Sequence, residues 1–269
     1  MGTPGAFTWA ATHLGYVLFF KEDVIHKVFG NKPANYQVTT VHARGVEDGS
    51  AGSLCMMNET LYYQSRTGMV SYEGSLPGDI GQAFGYVKYH DAVAGSCDGQ
   101  MWVSMKDGNG QSHLFVYGAG TGLWHREDGT EAEAFRAVGS DMYMATEKAL
   151  WLLEGSGDED YEDQSAAAEA AVEWMAETGD LDMTNLYKRH LQKVMLRFRM
   201  EEGAACAIQA SYDGGEYVTL KQVTTKEDLK AMTVPIVPHR CDHMRLKLTG
   251  TGWIEIMDLN YVVWAGSEL

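Results

Sequence analysis

The sequence predicts an all-β protein, a set of β-propeller-like blades followed by a small C-terminal β-sandwich, and three observations carry that prediction. The chain of 269 residues holds 30 Gly and 11% aromatics but only 22% charged residues, a mixture of turn formers and strand formers rather than helix formers. Its first half contains a fourfold repeat of paired strands. Its last third alternates apolar and polar side chains with the two-residue period of half-buried strands.

The repeat runs through GYVLFFKEDVIHKVFG (from Gly15), ETLYYQSRTGMVSYEG (from Glu59), GQMWVSMKDGNGQSHLFVYG (from Gly99) and SDMYMATEKALWLLEG (from Ser140). In each, a turn residue precedes an aromatic-rich strand, a polar turn reverses the chain, and a second strand ends in Gly. Tyr62 to Trp102 is 40 residues and Trp102 to Tyr143 is 41, within the range of four-stranded propeller blades. An apolar pair such as Leu61-Tyr62 or Met101-Trp102 sets one bulky side chain against the neighbouring blade. Further strands precede the repeats at Ser53–Met57, Ala92–Ser96 and Ala134–Val138. A single sheet of this kind cannot bury both faces, so the blades must form a ring or a stack. About four blades close only a small ring. The start, Gly2-Thr3-Pro4-Gly5-Ala6 and then a strand-like run, reads like the interior of a longer chain, in which case the ring is incomplete.

The second unit follows a change in character. Residues 1–153 carry 16 acidic and 10 basic side chains, residues 154–185 carry 11 and none, and residues 186–269 carry 10 and 11. Five acids fall within Asp158–Asp163, and an Ala-rich stretch follows, the composition of a solvated tether. The expected organisation is a propeller-like domain over 1–153, an acidic linker and connecting strand over 154–185, and a sandwich over 186–269. Within the linker, Val172–Gly179 alternates enough for a strand, although the Ala-rich residues before it leave a helix open. In the sandwich, Val194, Leu196, Phe198 and Met200 point one way and Lys193, Arg197 and Arg199 the other. Met244, Leu246 and Leu248 repeat the pattern against Arg245 and Lys247. Cys206, Ile208, Ala210 and Tyr212 run into Asp213-Gly214-Gly215, a strong hairpin turn. Six to eight strands fit this length.

Composition narrows function. A net charge of -16 disfavours nucleic-acid contact and anionic membranes, both of which need a basic face. Four scattered cysteines, Cys55, Cys97, Cys206 and Cys241, have no CxxC spacing and read as reduced, buried thiols. No apolar run approaches the ~20 residues of a membrane span, and the first residues lack a basic stretch followed by an apolar one, so secretion by a signal peptide is not expected. Motifs for a nucleophile elbow, a phosphate loop or an HExxH zinc site are missing, and Gly118-Ala119-Gly120-Thr121-Gly122 lacks the third glycine of a dinucleotide fingerprint.

What remains are weak constellations. His239, Cys241 and His243 would share one face of an extended strand, spaced about 6 to 7 Å per step, too loose for zinc without a third ligand from elsewhere. The expected reading is Cys241 in the core and both His at turns. The pairs Glu22-Asp23, Glu47-Asp48 and Glu127-Asp128 sit at turns, where carboxylates are usually solvated or bond backbone amides; glycosidase chemistry would need two of them held about 5 to 10 Å apart. Lys193, Arg197, Arg199, Arg245 and Lys247 could line up across neighbouring strands and meet the acidic linker, a phosphate backbone or nothing at all. Trp9, Trp102, Trp124, Trp151, Trp174, Trp253 and Trp264 read as core and blade-contact residues rather than a sugar platform. No catalytic residue, metal or cofactor is assigned.

Six strings carry a family resemblance: Phe19–Gly30, Leu61–Pro77, Ala92–Met105, Leu114–Asp128, Glu177–Met183 and Val234–Ile256. Together they resemble phage and prophage virion proteins of the tail-associated or head-to-tail adaptor type, in which a β-propeller precedes a β-sandwich. The resemblance spans nearly the whole chain and implies full-length members that extend N-terminally beyond Gly2. It brings no catalytic residue, and at His239 this chain departs from an Arg-like position. The implied function is a non-enzymatic structural protein of a phage particle, oligomeric, meeting other virion proteins, and assembled in the host cytoplasm. The alternative is a carbohydrate-binding or carbohydrate-active propeller, resting on the aromatics and acidic pairs.

Overall fold

The computed structural model describes residues 2–154, 173–181 and 189–265, and the chain divides into two units, Met1–Asp160 and Tyr161–Leu269. Apart from three short 3-10 turns, the regular structure of the described residues is entirely β.

The first unit is four antiparallel meanders, each a blade. Blade one is β1 (Trp9–His13), β2 (Tyr16–Lys21), β3 (Val24–Phe29) and β4 (Gln37–His42). Blade two is β5 (Cys55–Met57), β6 (Thr60–Ser65), β7 (Gly68–Tyr72) and β8 (Gly78–Asp79). Blade three is β9 (Tyr89–Cys97), β10 (Gln100–Asp107), β11 (Ser112–Gly118) and β12 (Leu123–Arg126). Blade four has three strands among the described residues, β13 (Ala134–Val138), β14 (Asp141–Ala145) and β15 (Leu150–Glu154).

Local chemistry fixes each blade's first hairpin. Its two-residue turn is Leu14-Gly15, Asn58-Glu59, Asp98-Gly99 or Gly139-Ser140, and the first three place both residues at positive φ, the geometry that matches strand twist. Asn, Asp and Gly tolerate that region; Leu14, at φ 48°, does so at a cost.

The strand after that turn explains the stack. Adjacent side chains leave a strand on opposite faces, so Leu61 joins the cluster between blades one and two while Tyr62 joins that between two and three. Met101 and Trp102 do the same one blade later, Met101 toward blade two and Trp102 toward blade four. Both members of each pair are therefore blade contacts, where the sequence pattern assigned that role to only one. Leu18 faces blade two and Met142 faces blade three, completing three clusters between successive blades. Among the described residues no such cluster joins blade four to blade one.

The second unit is a two-layer sandwich. Its strands are β16 (Glu173–Glu177), β17 (Arg189–Met200), β18 (Ala205–Tyr212), β19 (Val218–Val223), β20 (Glu227–Val234), β21 (Met244–Thr251) and β22 (Ile254–Ala265). They form sheets ordered β16-β21-β18-β19 and β20-β17-β22. Val194, Leu196, Phe198 and Met200 meet Cys206, Ile208, Ala210, Met244, Leu246 and Leu248 in one core. A register shift between Leu191 and Lys193 brings Leu191 onto the same buried face despite its odd spacing. Asp213 and Gly214 both take positive φ in the expected hairpin turn.

Two expectations change. The strand placed in the linker, β16, pairs along β21 from Glu173↔Thr251 to Glu177↔Lys247 and belongs to the sandwich. Its Trp174 donates its indole N–H to the Gly252 carbonyl at 3.1 Å, and its ring lies so close to Gly250 that a side chain there would collide with it. At the other end, Glu154 closes β15, so the tether composition lies mainly within residues 155–172, outside the described residues. The cationic stripe is also divided. Lys193, Arg197 and Arg199 stand on β17 and Arg245 and Lys247 on β21, strands of different sheets, because two-residue periodicity fixes a face but not a sheet.

Blade contact depends on close approach at Gly95, where an added Cβ would come within 2.4 Å of the Phe135 Cβ. Gly95→Ala is expected to destabilise the first unit by about 1 to 3 kcal/mol through overpacking. Urea unfolding followed by tryptophan fluorescence measures it, and an unchanged midpoint would refute the close-packed blade interface.

Candidate functional site

The five residues of the His239–His243 string do not converge. Cys241 is buried in the sandwich core, where burial raises its thiol pKa. His239 packs on the Tyr212 ring at 4.9 Å, and His243 lies 3.7 Å from Asp242. The amides of Asp242 and His243 both donate to the Asp213 carboxylate, at 2.6 and 3.3 Å, which ties this segment to the hairpin turn. Among the described residues no three His, Cys, Asp or Glu side chains form a metal-binding group.

Three of the five sandwich cations have local partners. Arg199 bonds Glu255 at 3.1 Å, Arg245 bridges Asp180 at 2.6 Å and Glu177 at 3.5 Å, and Lys247 lies over the Tyr217 ring. Arg245 holds the Asp180 carboxyl below its ordinary range. Arg245 thus consumes two of the acids that the sequence placed in the linker.

Tryptophans divide by role. Trp102 is buried between blades three and four. Trp124 donates to the Ile80 carbonyl at 2.7 Å and stacks near Phe84 and Tyr117, fastening β12 to blade two. Trp9, Trp151, Trp253 and Trp264 are exposed, outside the core where the sequence placed them.

Two features of the blades stand out. The first is a cleft of about 690 Å³ between blades three and four, lined by Trp102, Leu114, Glu127, Asp128, Glu131 and Trp151 among others. Among the described residues β15, which lines it with Trp151, Leu152 and Leu153, has no fourth strand beside it. Its carboxylates are largely engaged: Asp128 accepts from the Thr130 amide at 2.7 Å and hydroxyl at 2.8 Å, and Glu127 meets His125 at 2.8 Å. Glu131 meets Lys106 at 2.7 Å and accepts from Ser112, and the lysine keeps its carboxyl pKa low. Trp151 adds an exposed indole.

The second is a row of titratable groups on the blade loops. Arg66 bridges Glu22 at 3.8 Å and Asp23 at 3.1 Å. Glu47 accepts from the Ser50 hydroxyl at 3.2 Å, yet burial raises its carboxyl above the ordinary 4.5. Asp48 is exposed, and its amide meets Glu22 at 3.4 Å. His90 reaches Asp91 at 3.0 Å and the Asp107 carbonyl at 3.1 Å. Asp107 accepts from the Asn109 and Gln111 amides and from His113, and these bonds lower its pKa. Sequence reasoning missed His90, Asp91, Asp107 and His113. Asp107-Gly108-Asn109-Gly110 did mark the turn, but the His113 contact six residues on appears only once β10 and β11 pair.

No family model matches the chain, and no curated protein matches it. Among solved structures it is similar to an exo-β-1,3-galactanase from Phanerochaete chrysosporium, at 8% identity over 90% of this chain and 78% of that one, with a TM-score of 0.33. It is also similar to a Bacillus thuringiensis Cry1Da tryptic core variant, at 8% identity over 97% of this chain and 51% of that one, with a TM-score of 0.28.

Glu47 yields a pH prediction. Burial favours its neutral form, so the folded protein holds this proton to a higher pH than the unfolded chain, and its contribution to stability falls as pH rises above 4.5. Glu47→Gln keeps an acceptor for Ser50 and removes the buried charge. The variant should match the parent near pH 4 and gain in urea midpoint at pH 7; a loss at pH 7 would contradict the assignment.

Proposed function

We propose that this chain is a non-enzymatic structural protein of a bacteriophage or prophage particle, a tail or head-to-tail adaptor component that acts as a protein-protein assembly platform. The observation that supports this reading is the outward face of blade four. Leu150, Leu152 and Val138 stand exposed there on a sheet whose other face is packed against blade three. Exposed apolar surface contiguous over a sheet marks an interaction site. The resemblance to virion proteins in Phe19–Gly30, Leu61–Pro77 and Val234–Ile256 supplies the setting. In this reading the partners are other virion proteins, and the chain reaches the particle by assembly in the host cytoplasm. Mass spectrometry and antibody-labelled electron microscopy of purified particles are expected to find it at a fixed copy number per virion. Its absence from particles would sink the proposal.

A second reading rests on the cleft, where Trp102, Trp151 and several carboxylates surround a volume suited to a small glycan. Calorimetric titration with cell-wall oligosaccharides should then give binding that Trp151→Ala weakens about tenfold, the loss of roughly 1.4 kcal/mol from one stacking platform. Flat titrations across such sugars would remove this reading.

A further inference from the structure

We propose that the cleft between blades three and four takes a short glycan bearing free amino groups, an oligomer of the glucosamine type, in preference to a neutral or an acidic one. The proposal deepens the glycan reading of that cleft and rests on it.

The first observation is an indole without an acceptor. Trp124 and Trp174 each donate their N–H to a carbonyl, as tryptophans removed from water usually do. Trp102 is only 5% exposed, yet its N–H has no acceptor among the described residues and is not sealed from solvent. Trp102 belongs to the apolar cluster between blades three and four and lines the cleft, so this N–H opens onto the cleft. An apolar occupant would bury the donor unpaired, whereas a hydroxyl or ring oxygen satisfies it.

The second observation is Trp151. The register Met144↔Trp151 sets it on the face of blade four that Met144 turns towards blade three. Met144 is buried there, but Trp151 is 54% exposed at the cleft, and no ring or cation among the described residues stacks on it. The apolar face of a pyranose fits such a platform, and a cation beside it gains from the negative face of the indole.

Charge selects among glycans. Glu127, Asp128, Glu131, Glu133 and Glu147 line the cleft, and among the described lining residues Lys148 is the one lysine or arginine. Glu127 has His125, Glu131 has Lys106, and Asp128 has the Thr130 amide and hydroxyl. The carboxylates of Glu133 and Glu147 have no partner among the described residues. Residues 155–172, which follow β15 in sequence, contain no Lys, Arg or His to supply one. Carboxylates accept and do not donate, so this lining calls for donors and for positive charge. A neutral sugar that covers the cleft leaves both carboxylates unpaired in a drier setting, and an acidic sugar adds repulsion. An amino sugar brings ammonium groups to Glu133 and Glu147, hydroxyls to the other acids and an oxygen to the Trp102 N–H.

Calorimetric titration of the full chain with a glucosamine tetramer is expected to show affinity at least about tenfold above that for the N-acetylated tetramer, with no binding of tetragalacturonate. Raising ionic strength from about 0.05 to about 0.5 M should weaken the first and leave the second unchanged, since screening acts on the charge pairs alone. Glu133→Gln and Glu147→Gln alter exposed side chains, so circular dichroism of the double variant should be unchanged. Its affinity for the glucosamine tetramer should fall to that for the N-acetylated one, while Trp151→Ala weakens both. Equal affinities for the two tetramers, or indifference to the double variant, overturns the proposal and leaves the glycan reading standing; no binding of any sugar removes both. Tetralysine that binds as tightly as the glucosamine tetramer and ignores Trp151→Ala would reveal a charge trap and equally overturn the proposal.

Discussion

Adjacent side chains on a strand leave in opposite directions, and in every blade the strand after the first hairpin places an apolar residue on each side. Such a sheet has no solvent-tolerant face. Burying one large apolar side chain contributes roughly 1.5 to 3 kcal/mol, so a blade with one neighbour forgoes much of what a blade with two gains. Blades two and three, with neighbours on both sides, bury Leu61, Tyr62, Met101 and Trp102. Blades one and four each leave one member of the pair facing outward. The stack and the exposed end faces both follow from this one alternation.

The remaining architecture serves to hold the blades at contact distance. Trp124 reaches back to Ile80, and the Ser50 hydroxyl accepts from the Ala92 amide while that of Ser104 accepts from the Ala132 amide, one blade later. Both hydroxyls satisfy amides that blade packing removes from water. Polar bonds here fix register between blades, while the three apolar clusters supply the stabilisation.

Much of this was legible before the coordinates. The repeat boundaries at Gly15, Glu59, Gly99 and Ser140 fall on the first hairpin turns, because positive φ demands a restricted set of residues and leaves a mark in sequence. Core faces of β17, β18 and β21 were equally visible as two-residue alternation. The outer strands were not: β8 is only Gly78–Asp79, and β4 is almost wholly exposed, so neither carries an apolar signature. β16 was ambiguous because alternation in five residues next to an Ala-rich stretch suits a helix or a strand, and only pairing with β21 decides it. The site residues were least visible. His90 with Asp107 and Glu131 with Lys106 are partners across strands, and no local spacing encodes them.

The acidity that distinguishes the sequence also changes meaning once partners are known. Glu177 and Asp180 belong to the sandwich unit and neutralise Arg245, and Glu131 neutralises Lys106. Glu127, Asp128, Glu131 and Glu133 instead gather on the loop that leads into blade four, beside the cleft. A stack built from one repeated contact has two distinct ends by geometry alone. Polarity of this kind is what a platform needs if neighbouring subunits are to dock in one orientation rather than two.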